Sequence, residues 1–245
     1  MKANTIQNFS ERLQENNINK LDNHRIHIWK IDLNKISNNI NTYLYLLDEE
    51  EIKRANKFLI ENKYKSYIAS KILLKILIQY YLEEETSIKL YKNDYGKLYI
   101  QKNKLYFNIS HTKDMSILSF SKNKEIGIDL ETTNCDNNII DISTKYFTKI
   151  EKEWIYNLPI NKRKEGFLYC WVRKEAYIKA LGFGFSLPID SFDVISKKQE
   201  KISNNTFQIN NWYLHSLDIS TQYIGAICIQ APKIDIIYFD ANKII

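Results

Sequence analysis

Residues 125–131 read Glu-Ile-Gly-Ile-Asp-Leu-Glu, and within them Asp129 and Glu131 are the side chains that could do chemistry. Ile126, Ile128 and Leu130 alternate with Gly127, Asp129 and Glu131, a period of two that predicts a strand. A strand sends alternate side chains to opposite faces. The aliphatics are therefore expected to face a core, while both acids and the glycine share the other side. Residues two apart on one face sit about 7 Å apart along the strand. Carboxylates at that spacing can converge on one hard cation, and Mg²⁺ in phosphate chemistry is commonly held by one or two carboxylates plus substrate phosphates. Gly127 is expected to leave room for a bulky ligand beside them. The plain alternative is an edge strand with two solvated acids.

A third acid recurs further on. Trp171, Glu175 and Lys179 are spaced every four residues and would stack along one helix face. Glu175 could join the cation site, with Lys179 as a fixed positive charge beside it. The ordinary alternative is a surface Glu–Lys pair contributing about 0.2–0.5 kcal/mol. The glycines of Gly182-Phe183-Gly184-Phe185 permit close backbone approach after that helix. Phe107-Asn108-Ile109-Ser110-His111-Thr112 places Ser110, His111 and Thr112 at a strand end, where hydroxyls, imidazole and a free backbone N–H suit a phosphate. A polar turn is the plain alternative there. A Ser–His hydrolase is disfavoured, because adjacent Ser and His do not face one another and no G-x-S-x-G elbow is present. Arg54, Lys57, Lys63, Lys65, Lys71 and Lys75 fall on two early helices, mostly as a solvated face, with a few able to hold a terminal phosphate as point charges. No Walker loop, dinucleotide glycine fingerprint, H-E-x-x-H or C-x-x-C occurs, which argues against the commonest nucleotide and zinc enzymes.

These residues need a scaffold, and the chain is long enough to bury one. It has 245 residues, 44% hydrophobic and 26% charged, an ordinary globular balance. The net charge of +6 mildly favours an acidic partner or phosphorylated ligand. The charges are spread along the chain, so no nucleic-acid partner is expected. No apolar run approaches the roughly 18 residues of a membrane span. Residues 1–17 lack an apolar stretch of the secretory kind, and three scattered cysteines, Cys135, Cys170 and Cys228, suit a reducing compartment. A cytoplasmic protein without a membrane partner is the expectation.

Alternation predicts a first strand over 25–33. Asp48 is placed to N-cap a helix carrying Ile52, Ala55, Phe58 and Leu59 inward, and a second helix is predicted over 64–82. Strands follow over 88–91, 105–109, 116–121 and 125–131, with a turn at 94–97. Thr148 and Glu151 have capping-box spacing. A long helix over 162–181 is expected to stop at Gly182, and residues 192–239 alternate as strands. The pattern predicts an α+β fold of two similar halves, residues 1–124 (with 1–23 an appended segment or loose end) and residues 125–245 carrying the cation site. The seam near 122–126 would be the ligand site.

Taken in order, Tyr95-Gly96-Lys97, Phe107-Asn108-Ile109-Ser110-His111-Thr112, Gly127-Ile128-Asp129-Leu130-Glu131 and the run from Trp171 to Gly182 resemble the 4′-phosphopantetheinyl transferases of the Sfp type. Arg54-Ala55-Asn56-Lys57-Phe58 and Ser186-Leu187-Pro188-Ile189-Asp190-Ser191-Phe192 follow the same family, so the resemblance spans about residues 26–230. It implies a monomeric, pseudo-twofold pair of α/β subdomains with coenzyme A and Mg²⁺ in the cleft between them. By that resemblance Asp129, Glu131 and Glu175 are metal ligands. Arg54, Lys75, Lys97, Ser110, His111, Thr112, Lys174 and Lys179 are contacts to coenzyme A, and Glu131, Glu175 and Lys179 are catalytic. Three departures stand out: Lys71 and Lys75 where arginines are common, Leu98 where proline is usual, and Val172 for a frequent Thr or Ser.

The implied reaction moves 4′-phosphopantetheine from coenzyme A to a serine of an acyl or peptidyl carrier protein and releases 3′,5′-ADP, with Glu131 or Glu175 as base. The alternative is an inactive member that binds coenzyme A or carrier. Fatty-acid, nonribosomal-peptide and polyketide synthesis are equally compatible. Beyond the carboxylate strand, helical spacing predicts that Ile139, Ile142 and Tyr146 pack inward, leaving Ile140, with Phe147 or its neighbours, exposed to meet the carrier.

Overall fold

Burial on both faces makes the first strand the organiser of the N-terminal half. The computed structural model describes residues 21–36, 38–84, 88–101, 105–134, 145–199, 201–202 and 206–243. In chain order these form β1 (Arg25–Asp32), a 3-10 segment (Asn38–Leu46), helices α1 (Glu49–Ala55) and α2 (Glu61–Leu82), a small hairpin β2 (Tyr91–Lys92) and β3 (Leu98–Tyr99), then β4 (Leu105–His111), β5 (Met115–Lys122) and β6 (Ile126–Thr132). Helices α3 (Lys149–Asn157) and α4 (Arg163–Leu181) follow, then β7 (Phe207–Ile209), β8 (Trp212–Leu217), β9 (Tyr223–Ile229) and β10 (Asp235–Asp240).

The caps work as their residue types dictate. Asp48 and Glu51 form a reciprocal capping box at α1, and Thr148 and Glu151 do the same at α3. Gly182 ends α4 at φ +73°, a conformation that costs glycine little. Helix α1 stops at Ala55, so Phe58 and Leu59 lie beyond it and not on its inward face. Phe58 is half-buried against the Tyr67 ring, and Leu59 is fully exposed.

Two four-stranded sheets result, in the orders β10-β1-β5-β4 and β6-β9-β8-β7. Strand β1 runs antiparallel to β5, with Trp29 opposite Leu118, and parallel to β10, with Trp29 opposite Phe239. The final strand thus returns to the first sheet, and a division at residues 124 and 125 does not hold for it. Without β10, one edge of the doubly buried β1 would carry unpaired backbone groups.

Three apolar clusters hold these layers. Ile68, Ile72, Leu73 and Leu77 of α2 pack on Trp29, Ile31, Leu118 and Phe120. Helix α4 packs with Trp154, Val194, Leu214 and Cys228. Between the sheets, Ile26, Ile28 and Ile117 meet Ile126, Ile128, Leu130, Ile227 and Ile229. The aliphatic face of the acidic strand is therefore core, as its alternation predicts. No helix among the described residues is long and apolar enough to cross a membrane.

Of the residues expected to face a carrier, 139, 140 and 142 lie outside the described residues. The two neighbours that are described reverse the expectation: Tyr146 is 39% exposed and Phe147 only 1%. Phe147 turns into the core against Phe167, and Tyr146 lies edge-on to Trp171.

Candidate active site

The two sheets meet edge to edge at the acidic strand. Among the described residues strand β6 pairs only with β9, which leaves the N–H groups of its other edge without a ladder. Strand β4 supplies side chains in place of a ladder. Asn108 Oδ1 accepts from the Ile128 N–H at 3.0 Å, and Ser110 Oγ accepts from the Leu130 N–H at 3.2 Å. Two residues two apart on one strand thereby match two N–H groups two apart on the other. Neither amide is left unsatisfied at the seam.

Helix α4 covers the acidic face of β6. A Cβ at Gly127 would fall 2.1 Å from the Ala176 carbonyl oxygen and 2.2 Å from the Ala180 nitrogen. Gly127 therefore admits the helix backbone, and the space expected for a ligand there is filled. From Gly166 to Ala180, only Trp171, Glu175 and Lys179 escape full burial. This stripe faces Asp129 and Glu131.

Asp129 is 4% exposed. Its Oδ1 accepts from Lys179 Nζ at 2.6 Å and from Ser110 Oγ at 2.9 Å. Lys179 also reaches Ser110 Oγ at 3.3 Å. The Ser110 hydroxyl is thus taken up by Asp129, Leu130 and Lys179. Asp129 Oδ2 and Glu175 Oε1 are buried and have no hydrogen-bond partner among the described residues. The pKa of Glu131 is raised to about 7, first by burial and then by the Asp129 charge, while a hydrogen bond to the Trp171 side chain and the charge of Lys179 oppose the rise. Burial and Asp129 likewise raise Glu175.

Among the described residues, no group of three or more His, Cys, Asp and Glu is gathered as a ready-made metal centre. The donor set nonetheless fits a hard cation. Two buried carboxylate oxygens without partners, and two acids, Glu131 and Glu175, whose pKa values are raised by burial and then by the Asp129 charge, mark a site short of positive charge. Lys179 offsets that shortage by a direct bond at Asp129 Oδ1, and by its charge at Glu131 and Glu175.

Beside these acids opens a cleft of about 390 Å³. Tyr95 to Leu98 form one wall, Glu175, Ile178, Lys179 and Gly182 another, and Phe107, Asn108 and Ile109 a third. His111 lies exposed at the end of β4, with its pKa lowered by partial loss of solvent and then by the charge of Lys179.

The remaining expected contacts go elsewhere. Lys174 is fully buried, and its Nζ donates to Ile189 O at 2.7 Å and Phe192 O at 2.6 Å and pairs with Glu151 at 2.9 Å. An ammonium has three donors, so none remains for a phosphate, and the expectation of a coenzyme A contact at Lys174 is corrected. Glu175, its neighbour in sequence, faces the cleft because adjacent residues leave a helix on different sides. The Thr112 hydroxyl is occupied in the β4–β5 turn, with Asp114 Oδ1 at 3.0 Å and the Met115 N–H at 3.2 Å. Lys75 ties α2 to α1 through Glu51 at 2.5 Å, and exposed Arg54 lies over the Tyr67 ring. Neither lines the cleft. The period-two spacing of Asn108 from Ser110 in β4 is visible in the sequence, but spacing alone does not say that Asn108 meets the Ile128 N–H.

A family model described as the 4′-phosphopantetheinyl transferase superfamily matches residues 125–228, and a second, described as 4′-phosphopantetheinyl transferase, N-terminal, matches residues 34–123. The chain is 26% identical over 166 residues to the 4′-phosphopantetheinyl transferase HetI of Nostoc sp., covering 66% of this chain and 70% of that protein. It is 32% identical over 133 residues to the gsp transferase of Aneurinibacillus migulanus, 54% of each chain. To the Sfp transferase of Bacillus subtilis it is 24% identical over 193 residues, 78% of this chain and 85% of the other. Two adjoining family matches and relatives that agree in kind show that this chain belongs to the 4′-phosphopantetheinyl transferase superfamily, as an enzyme of the Sfp type.

Proposed function

We propose that this chain transfers 4′-phosphopantetheine from coenzyme A to a serine hydroxyl of an apo acyl or peptidyl carrier protein, with Mg²⁺, and releases 3′,5′-ADP. The observation that carries this reading is the pair of partnerless buried oxygens, Asp129 Oδ2 and Glu175 Oε1, beside Lys179 at the edge of the cleft. Asp129, Glu131 and Glu175 would hold the cation, which supplies positive charge to the pyrophosphate oxygens when bound. In the transfer, the serine oxygen bonds to the β-phosphorus as the bond from that phosphorus to the ADP oxygen breaks. Such a displacement needs in-line positioning and charge neutralisation more than covalent chemistry.

The serine proton would pass to a carboxylate oxygen of Glu131 or Glu175, the acids that face the cleft side of α4 and β6. Lys179 offsets charge on the leaving phosphate, and His111 binds non-reacting phosphate oxygens from the rim. Leu98, Phe107, Ile109 and Ile178 give the cleft an apolar lining suited to a nucleobase. We read the two halves, each a four-stranded sheet backed by one long helix, as the pseudo-twofold pair of the family.

The test mixes the protein with coenzyme A, Mg²⁺ and apo-carriers from fatty-acid, peptide and polyketide systems, then weighs the carriers by mass spectrometry. The expected result is one phosphopantetheine on the carrier serine. Bound coenzyme A with every carrier unmodified would replace transfer with the inactive-binder reading.

A further inference from the structure

The β2–β3 hairpin belongs to neither four-stranded sheet, so side chains must hold it in place. Asn93, at its turn, uses both ends of its amide. Oδ1 accepts from the Tyr95 N–H at 3.1 Å and the Lys97 N–H at 2.8 Å, which closes the turn. Nδ2 donates to the carbonyl of Gly182 at 2.7 Å, across to the end of α4. Lys97 adds a second tie, donating to the Ala180 carbonyl at 2.8 Å and pairing with Glu125 at 2.5 Å. The last carbonyls of a helix lack intrahelical partners, and here the hairpin provides them. A Cβ at Gly182 would meet Lys97 Cδ at 3.0 Å and Asn93 Nδ2 at 3.1 Å, so the latch closes tightly on a glycine. Tyr95 and Phe183 meet edge to face outside it.

This latch has a consequence for the cleft. The hairpin contributes Tyr95, Gly96, Lys97 and Leu98, and α4 contributes Glu175, Ile178 and Lys179. The two walls are separate elements, and the Asn93–Gly182 bond joins them directly. We infer that Asn93 is a positioning residue for donor binding, its amide setting the width of the cleft between the hairpin and the catalytic helix. The inference rests on the reading of the cleft as the coenzyme A site.

Asn93→Asp separates the two ends of the amide. A carboxylate still accepts from the Tyr95 and Lys97 N–H groups, but cannot donate to the Gly182 carbonyl, which it repels. Two measurements are made on it and on Asn93→Ala, which loses turn and latch together. Hydrogen exchange without coenzyme A should show faster exchange of the amides of residues 91–99 in Asn93→Asp, with the thermal midpoint near that of the wild type. Calorimetry and kinetics should show coenzyme A affinity falling and KM rising roughly tenfold, with kcat nearly unchanged, as expected when binding common to ground and transition states is lost. Unchanged exchange and affinity in Asn93→Asp would overturn the inference. Equal losses of thermal stability and kcat would also overturn it, by making Asn93 a structural residue only. Exchange is read without ligand, so a wild type that binds no coenzyme A would sink the proposed function while the latch is still tested.

Discussion

Helix α4 carries two lysines that each meet a carboxylate, and the two pairs are built to opposite ends. Lys174 and Glu151 are both 0% exposed and fully provided for. Lys174 has two backbone carbonyls besides the acid, and Glu151 takes the Thr148 and Val194 N–H groups besides the lysine. Burial alone would push Glu151 up and Lys174 down, and each partner's charge opposes that. Lys179 and Asp129 are as close, at 2.6 Å, yet Lys179 remains 28% exposed and Asp129 keeps a buried oxygen with no partner. A saturated pair fixes structure, because nothing is left over to bind. An unsaturated pair at a cleft is held in shape by Ser110 and still has charge to offer.

The comparison breaks most visibly at the saturated pair. Lys174→Met should leave the Glu151 carboxylate uncompensated in the core and cost about 3–5 kcal/mol of stability, measured by urea unfolding. A loss under 1 kcal/mol would mean that water reaches the pair and that it is no structural anchor.

Asp129→Asn tests the other pair. It keeps the shape of a buried side chain that alanine would hollow out, and removes its charge. Transfer should fall by roughly 10²–10³-fold, the scale for losing one electrostatic stabiliser of the transition state, with the urea midpoint little moved. Near-normal turnover at saturating Mg²⁺ would remove Asp129 from the metal set.

A smaller effect separates the acids by pH. Glu131 has a folded pKa of about 7 against an ordinary 4.5. Without metal, the folded chain therefore keeps a proton that the unfolded chain has released. Its contribution is fully present below about 4.5, declines as pH rises towards 7, and is level above that. The decline should be on the order of 1–2 kcal/mol after solvent screening, and Glu131→Gln should flatten it in EDTA. Parallel curves for the two proteins would show that Glu131 is not raised.

The smallest effect is expected at the rim. His111→Ala should raise the KM for coenzyme A roughly tenfold and change kcat less, because its phosphates do not react. A thousandfold fall in kcat at constant KM would instead make His111 the base.

What was legible in the sequence follows from range. Asp48, Thr148 and Gly182 mark helix ends through groups no more than four residues away, so their type and spacing suffice. The alternation of β6 and the four-residue stripe of Trp171, Glu175 and Lys179 likewise name a face without naming a neighbour. That Asp129 shares a face with Glu131, and Glu175 with Lys179, was readable on that ground.

Tertiary structure alone decided what each face meets. Gly127 lies where a ligand could have been, but the backbone of α4 fills the place. Lys174 has the charge of a phosphate ligand, yet the Ile189 and Phe192 carbonyls and the Glu151 carboxylate take up its donors. Strand β10 is a run of four apolar residues between two acids, which names no partner, and its parallel register with β1 is what returns it to the first sheet. Periodicity and capping are properties of a few consecutive residues. The partner of a side chain several bonds long, or of a strand edge some two hundred residues away, depends on how the layers pack, and local spacing carries no record of that.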